Sequence, residues 1–593
     1  MKAIILAAGY GNRMRPLTDG CHKTMLTVGG KTIIARILDG LEINGITDIV
    51  VVTGYRAKEL TEYLNNSFPD FTFTFIHNER YKETNNIFSL ALAFDAITVD
   101  SDIIIIESDL IYTPSVIKRL LLSPFDNVAL VDHYRTGMDG TVVSVEENII
   151  TNVIPPHLQS TSFDFSDKYK TLNIYKFSKE FCELSFKKLL VYYANAIDNN
   201  CYYELILGIL IYMQKETIHA EIVSGETWSE VDDPNDLHVA EFDFNVNRKK
   251  ILEHAFGGYW NYDVTDFCFI RNMYFPNTSI ISELKNVLPE LISNYGSRQS
   301  IIDKKMSWFL LCNESNVTGL NGASQIYPIF SSLYGYSKAL IPSPTFGEYA
   351  ATFKKHCTYE DNGSFPMETI YKESIPCDTV VFVNPNNPTG TICRSGEIYS
   401  FAASCPEKKI IVDESFIEFS SEPSIITLLE KDPADNIIVI KSLSKSLGVP
   451  GIRLGYTYSC SEEYNQYVRN ILPVWNMNST AEFFLEILLK HRNSLKASFQ
   501  RTIIDRNDFI KGLNQLSFVE KVFSSEANFI LVKFFHTASF VIRLSNKLLA
   551  DRQIFIKDIS SRFPDGQGYI RLAVRTAEEN SALVKLLEEY GDL

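Results

Sequence analysis

Residues 440–456 read IKSLSKSLGVPGIRLGY. The apolar run just before, NIIVI (436–440), has the length and β-branched content of a buried strand. It ends in a hydroxyl-rich segment where Lys445 stands among Ser442, Ser444 and Ser446. Two glycines and Arg453 follow. Working outward, KALIPSP (338–344), TVVFVNPNNPTG (379–390) and KKIIVDESF (408–416) repeat the pattern of apolar strand and polar loop. Amphipathic segments lie between them. Strand–helix alternation predicts an α/β fold with a mainly parallel sheet covered on both faces. Ligands of such sheets sit at the carboxyl ends of the strands, which is where Lys445 falls.

A lysine alone is a surface charge; its company decides otherwise. A deprotonated lysine amine condenses with aldehydes, which is how pyridoxal phosphate is held. Such a cofactor needs a carboxylate for its ring nitrogen, phosphate ligands and a ring clamp. Asp413 ends one buried strand, and Asn387 in NPNNPTG can meet the phenolic oxygen. Ser442, three residues before Lys445, and Arg453, eight after it, can hold a phosphate. GLNGAS (319–324) adds Gly322, Ala323 and Ser324 as a phosphate nest, and Phe346 in PTFGEY can stack on the ring.

In this order these residues resemble the fold-type I pyridoxal-phosphate aminotransferases over about residues 245–593. The most similar group is that of histidinol-phosphate aminotransferase, which includes threonine-phosphate decarboxylase. The resemblance implies a large α/β part at about 290–515 and a small α+β part from flanking segments. It also implies that Arg571 in YIRLAVRT binds a substrate carboxylate, with Arg575 as rival. Tyr295 would reach the cofactor phosphate of a neighbouring subunit, hence a homodimer. One departure is Phe416, where many relatives carry tyrosine.

The chain begins differently. KAIILAA, DIVVVTG, DIIIIESD and NVALVDH read as strands of a second α/β sheet. In LAAGYGNRMRPLT (6–18) a strand runs into Gly9 and Gly11, whose backbone can approach a phosphate closely. Arg13 and Lys23 add charge against a triphosphate. Asp109 and Asp232 are carboxylates placed for Mg²⁺, with Glu230 and Asp233 beside the second. The string resembles the sugar-nucleotidyltransferase superfamily, with a Rossmann-like sheet, and NERYKETNNIFSLALA (78–93) resembles its phosphocholine cytidylyltransferase branch. That resemblance extends the nucleotide site to Leu6, Ala8 and Asn12, makes CTP the nucleotide, and covers most of residues 1–240. Thr24 departs from a proline common there. Asp132, Arg135, Asp139 and Lys168 stay open as acceptor-pocket residues.

Bulk properties narrow the classes. The chain has 593 residues and a formal charge of −16, which argues against nucleic-acid binding. Ten scattered cysteines with no paired spacing are expected to be reduced thiols of a cytoplasmic protein. No apolar run is long enough to span a membrane. A junction is expected near FDFNVNRKK (242–250), dividing 1–243 from 244–593. A fusion is most simply explained if one half makes what the other consumes. The expectation is therefore transamination of phosphonoacetaldehyde, with alanine as donor, to 2-aminoethylphosphonate, then coupling with CTP. Alternatives are decarboxylation of phosphonoalanine or phosphoserine, and a phosphocholine or phosphoethanolamine acceptor. A pyridoxal-bearing scaffold without turnover is the non-enzymatic alternative.

Overall fold

The computed structural model describes residues 1–135, 137–160 and 163–591. It has two compact units, Met1–Asp263 and Val264–Leu593, so the division falls later than the junction expected after residue 243. The reason is local. The helices Pro234–Asp243 and Arg248–Ala255 stay with the first unit. Phe242 stacks on Tyr262 at 4.4 Å, and the Arg248 guanidinium lies over the Phe242 ring.

The first unit is built on a nine-stranded sheet. Its parallel centre is Thr72–His77, Asp48–Thr53, Lys2–Ala7 and Ile103–Glu107, with Ile5 opposite Val51 and Ile106. The next strand, Tyr169–Phe177, runs antiparallel between Ile103–Glu107 and Val128–His133. Its sequence YKTLNIYKF carries two buried lysines, Lys170 and Lys176, so it does not read as a core strand. Helices Ile33–Ile43 and Asn86–Ala96 pack into separate apolar clusters on the two faces.

The second unit has a seven-stranded sheet in the order Val317–Leu320, Gly455–Ser459, Ile437–Ser442, Lys409–Asp413, Thr379–Val383, Lys338–Ser343, Lys355–Glu360. All pairings are parallel except those of Gly455–Ser459, which is antiparallel to both neighbours. A smaller antiparallel sheet joins Val519–Val522, Phe529–Thr537, Gln567–Ala573 and Lys557–Asp558. The helices Arg492–Leu513, Ala538–Arg552 and Ala577–Glu589 bury their apolar residues against it. This is the α+β part expected at the end of the chain. Among the described residues no helix is long and apolar enough to cross a membrane.

Candidate active sites

In the first unit a cavity of about 280 Å³ opens at the carboxyl ends of Lys2–Ala7 and Ile103–Glu107. Leu6, Ala8, Gly9, Gly11, Asn12, Arg13, Lys23, Asp109 and Asp232 all line it, so the expected nucleotide residues are brought together. Gly11 adopts φ 63°, a conformation side chains resist, and leads into the short turn Asn12–Met14. Thr18 donates to the Gly11 carbonyl at 2.9 Å and fixes the loop. Thr24, at the position that departs from proline, is buried and pairs with His22 Nδ1 at 2.8 Å.

The charged centre is compact. Lys23 Nζ sits 2.9 Å from Asp109 Oδ2 and 2.9 Å from Asp232 Oδ1. Arg13 reaches Asp232 Oδ2 at 2.8 Å and Asp139 at 3.3 Å. Burial opposes the Lys23 charge, but the two aspartates more than offset it and raise its pKa. Asp233 instead caps the helix Pro234–Asp243 in a reciprocal box with Asp236, leaving Asp232 to face the cleft. The carboxylate oxygens of Asp139, Glu230 and Asp232 lie within 4.8 Å of one another, whereas Asp109 meets Asp232 through Lys23. Asp109 Oδ1 is buried without a partner. This set of hard oxygen donors fits a Mg²⁺ ion. Asp132 accepts from Trp228 Nε1 at 2.8 Å and pairs with Arg135 at 3.0 Å, and Lys168 pairs with Asp167.

Deeper in the unit lies an acidic group of which the sequence reading named only Glu230. Glu107 accepts from Asn86 at 2.8 Å, and buried Lys170 pairs with Glu230 at 3.1 Å. Glu204 Oε2 and the Tyr175 and Tyr203 hydroxyls are buried without partners. Burial raises Glu107, Glu204 and Glu230, the last two to about 7. The visible signals were Glu107 in IIIIESD and a lysine inside YKTLNIYKF.

In the second unit Lys445 lies in the short helix Leu443–Ser446 beyond Ile437–Ser442. Burial, with Arg571 and Arg453 near, pushes its amine down to about 8. Asp413 is buried at the end of Lys409–Asp413. It accepts from Tyr349 at 2.7 Å and from the Ser415 hydroxyl at 2.6 Å. Ser442 N–H donates to that same Ser415 hydroxyl at 3.1 Å. Arg453 donates to Ser324 Oγ at 3.0 Å, and a Cβ at Gly322 would collide with the Arg453 guanidinium. Ala323 begins the turn that follows. Asn387 Oδ1 accepts from Arg571 at 2.9 Å. Arg575 instead pairs with Glu579 at 2.6 Å and donates to the Asp266 carbonyl. Phe346 precedes the helix Gly347–Thr352 and faces Tyr327 at 6.1 Å. Phe416 is packed edge-on to Phe529, in a small apolar cluster. Tyr295 stands apart from this group: it is 80% exposed and stacks on Trp475 at 4.4 Å.

A lowered lysine, a buried carboxylate and an arginine–serine–glycine cradle fit pyridoxal phosphate. Lys445 would hold its aldehyde carbon, Asp413 its ring nitrogen, and Arg453, Ser324 and Ser442 its phosphate. Tyr349, which orients Asp413, was missed because a tyrosine beside the expected ring clamp reads as core.

Comparison with known proteins finds two family models in the chain. Residues 291–587, half of the chain, match the family model for aminotransferases of class I and II, and residues 2–122 match that for nucleotidyl transferases. The chain is 28% identical to CMP-5'-(3-aminopropyl)phosphonate synthase of Streptomyces rubellomurinus, over 99% of this chain and 95% of that protein. It is 28% identical to L-serine phosphate decarboxylase of Sulfurospirillum multivorans, over 54% of this chain and 87% of that one. The crystal structure of histidinol-phosphate aminotransferase from Clostridium acetobutylicum superposes with a TM-score of 0.50 at 25% identity, covering 56% of this chain and 99% of that one. The fold is thus a nucleotidyltransferase sheet followed by a fold-type I transferase.

Proposed function

The chain belongs to the class I and II aminotransferase family, with a nucleotidyltransferase-type unit ahead of it, and from that premise we propose a two-step enzyme. The second unit forms 2-aminoethylphosphonate. The first couples it with CTP to give CMP-2-aminoethylphosphonate and pyrophosphate. The observation that carries this reading is the cleft in which Arg13, Lys23, Asp109 and Asp232 meet, with Glu107 in its wall. Burial raises the carboxyls of Glu107 and Glu204 above their ordinary range. An arriving ammonium would favour their ionised form and pair with it, and a phosphonate amine brings one. Full-length similarity to a CMP-aminopropylphosphonate synthase supports the pairing of steps.

In the first unit a phosphonate oxygen attacks the α-phosphorus of CTP while the bond to pyrophosphate breaks. The phosphonate is already ionised, so the chain need supply no base. Arg13, Lys23 and the Gly9–Gly11 backbone hold the triphosphate in line and neutralise charge on the leaving group. Mg²⁺, held by Asp232 with Asp109 or the neighbouring carboxylates, would add charge neutralisation on the phosphates. In the second unit pyridoxal phosphate supplies the electron sink for the bond broken at Cα. Arg571 would bind the substrate carboxylate, Phe346 would limit where the ring can lie, and the Lys445 amine would be the base or acid that moves the proton at Cα.

Transamination of phosphonoacetaldehyde and decarboxylation of phosphonoalanine both yield this amine. We favour decarboxylation, because Arg571 donates to Asn387 and Arg562 is tied through Thr345 to the neighbouring Asn386, which offers two guanidiniums to one substrate with two anionic ends. Similarity to a serine phosphate decarboxylase agrees. Purified chain with CTP and Mg²⁺ is tested against 2-aminoethylphosphonate, phosphoethanolamine and phosphocholine, following pyrophosphate. Preference for phosphocholine would sink the proposed link between the steps. Carbon dioxide from phosphonoalanine with no keto acid present separates decarboxylation from transamination.

A further inference from the structure

We propose that Arg562 is the seat for the phosphonate, or phosphate, at the far end of the substrate in the second unit; this rests on the reading of that unit given above. Arg562 closes the turn Ser560–Arg562, which follows the strand Lys557–Asp558 of the small sheet. Its Nη1 donates to the Thr345 carbonyl at 2.9 Å, so the side chain spans from the small sheet to the loop of the large part that carries Phe346. Thr345 in turn donates to Asn386 at 2.9 Å, and the next residue, Asn387, accepts from Arg571. Arg562 is thereby tied to the loop of the proposed ring clamp and, through Asn386, to the neighbour of the residue that the proposed carboxylate ligand contacts.

The electrostatics are unusual for a structural arginine. A guanidinium has five N–H donors, and here the recorded acceptor is a neutral carbonyl. Among the described residues no ion pair with a carboxylate is recorded for it. Its neighbour in charge is another cation. Burial lowers the Arg571 pKa first, and the Arg562 charge lowers it further. Two like charges, one of them half-buried, are costly unless an anion is to be received. Arg453 already serves the expected cofactor phosphate through Ser324, and Arg571 the substrate carboxylate. Arg562 is left for a second anionic group, and a tetrahedral dianion fits a guanidinium fork and carries more charge to it than a single carboxylate does. It also remains open to solvent, as a seat at a cleft mouth must be.

The rival is Lys557, which lies directly opposite Arg571 in the antiparallel register and so shares its face of the sheet. A second rival is a purely structural role, Arg562 acting as a strut to Thr345. The full-length, cofactor-loaded protein is titrated with phosphonoalanine, O-phospho-L-serine, L-aspartate and L-alanine, following the change in cofactor absorbance. In Arg562→Gln the two phosphorus-bearing amino acids are expected to bind roughly 10- to 100-fold more weakly, while alanine shifts by less than about twofold. Arg562→Lys, which keeps the charge and loses the fork, should give a smaller loss. Cofactor content and melting temperature should stay at the wild-type values. Unchanged affinity for the phosphorus-bearing ligands overturns the proposal. So does an equal loss for alanine, which is what a strut predicts, or a loss confined to Lys557→Gln. A wild-type protein that binds alanine as tightly as phosphonoalanine overturns the reading of the second unit and the seat with it, whatever the variants do.

Discussion

Lys445 carries the chemistry of its unit only if its amine is available. With its pKa pushed down to about 8 by burial and by the Arg571 and Arg453 charges, roughly one molecule in ten holds the free amine at pH 7. A solvent-exposed lysine would be neutral in far fewer. The cofactor-free chain should therefore capture pyridoxal phosphate at a rate that rises with pH and levels off above about 8. A rate still rising steeply toward pH 10 would place the amine outside the desolvated cleft. The stability sign follows from linkage. A depressed lysine contributes fully only above its unfolded pKa, so the cofactor-free chain should lose stability as pH falls from about 10 through 8. Glu204 is the opposite case. Its pKa is raised to about 7, and one oxygen is buried without a partner, so its ionised form is a cost above the ordinary carboxylate range. Glu204→Gln should stabilise the chain at pH 8 by on the order of 3 kcal/mol or less, and so raise its melting temperature. It should also raise the KM for the amine acceptor several-fold. A stabilised variant with unchanged KM would remove Glu204 from the ammonium seat.

At the scale of elements, the strand ends do most of the positioning. Lys2–Ala7, Lys409–Asp413 and Ile437–Ser442 each stop where a functional loop begins. Their apolar runs made these elements legible in the sequence, and with them the places of Gly9, Asp413 and Lys445. What was not legible has physical reasons. Tyr169–Phe177 hides because its buried lysines are satisfied by partners distant in sequence, Glu230 and the Ser123 carbonyl. The acidic group hides because Glu107, Glu204 and Glu230 come from three separate segments, and only folding brings them together. Gly322 shows how a short loop can govern a whole site. It adopts φ 78°, and an added Cβ would occupy the space of the Arg453 guanidinium. Gly322→Ala should weaken retention of pyridoxal phosphate at least tenfold, measured by dialysis and absorbance, and leave pyrophosphate release by the first unit intact. Full cofactor content in this variant would show that Arg453 does not need that cradle.

For the whole molecule, the fusion itself makes a prediction. Lys445→Ala should abolish conversion of phosphonoalanine to CMP product while still accepting supplied 2-aminoethylphosphonate. Lys23→Gln should fail at the other step and accumulate the amine. Mixing the two variants should restore product, with a lag while free amine builds up. No restoration would mean the amine does not pass through solution.

Assembly is the last scale. Tyr295 and Trp475 stack on each other, and neighbours in sequence, Ile292 and Val474, are 75% and 72% exposed. Solvent-facing aromatic and aliphatic groups of this size are unfavourable in water and suit a second copy of the chain. The expected place of Tyr295, from the family resemblance, is at the cofactor phosphate of that second copy. Trp475→Glu puts a charge into this patch without disturbing a core. It should convert a dimer to a monomer in sedimentation, and lower the affinity for pyridoxal phosphate at the same protein concentration. Coupling the two losses matters. A dissociated variant that holds its cofactor normally would leave the dimer standing and remove Tyr295 from the phosphate site. A variant that stays dimeric would move the interface to another face.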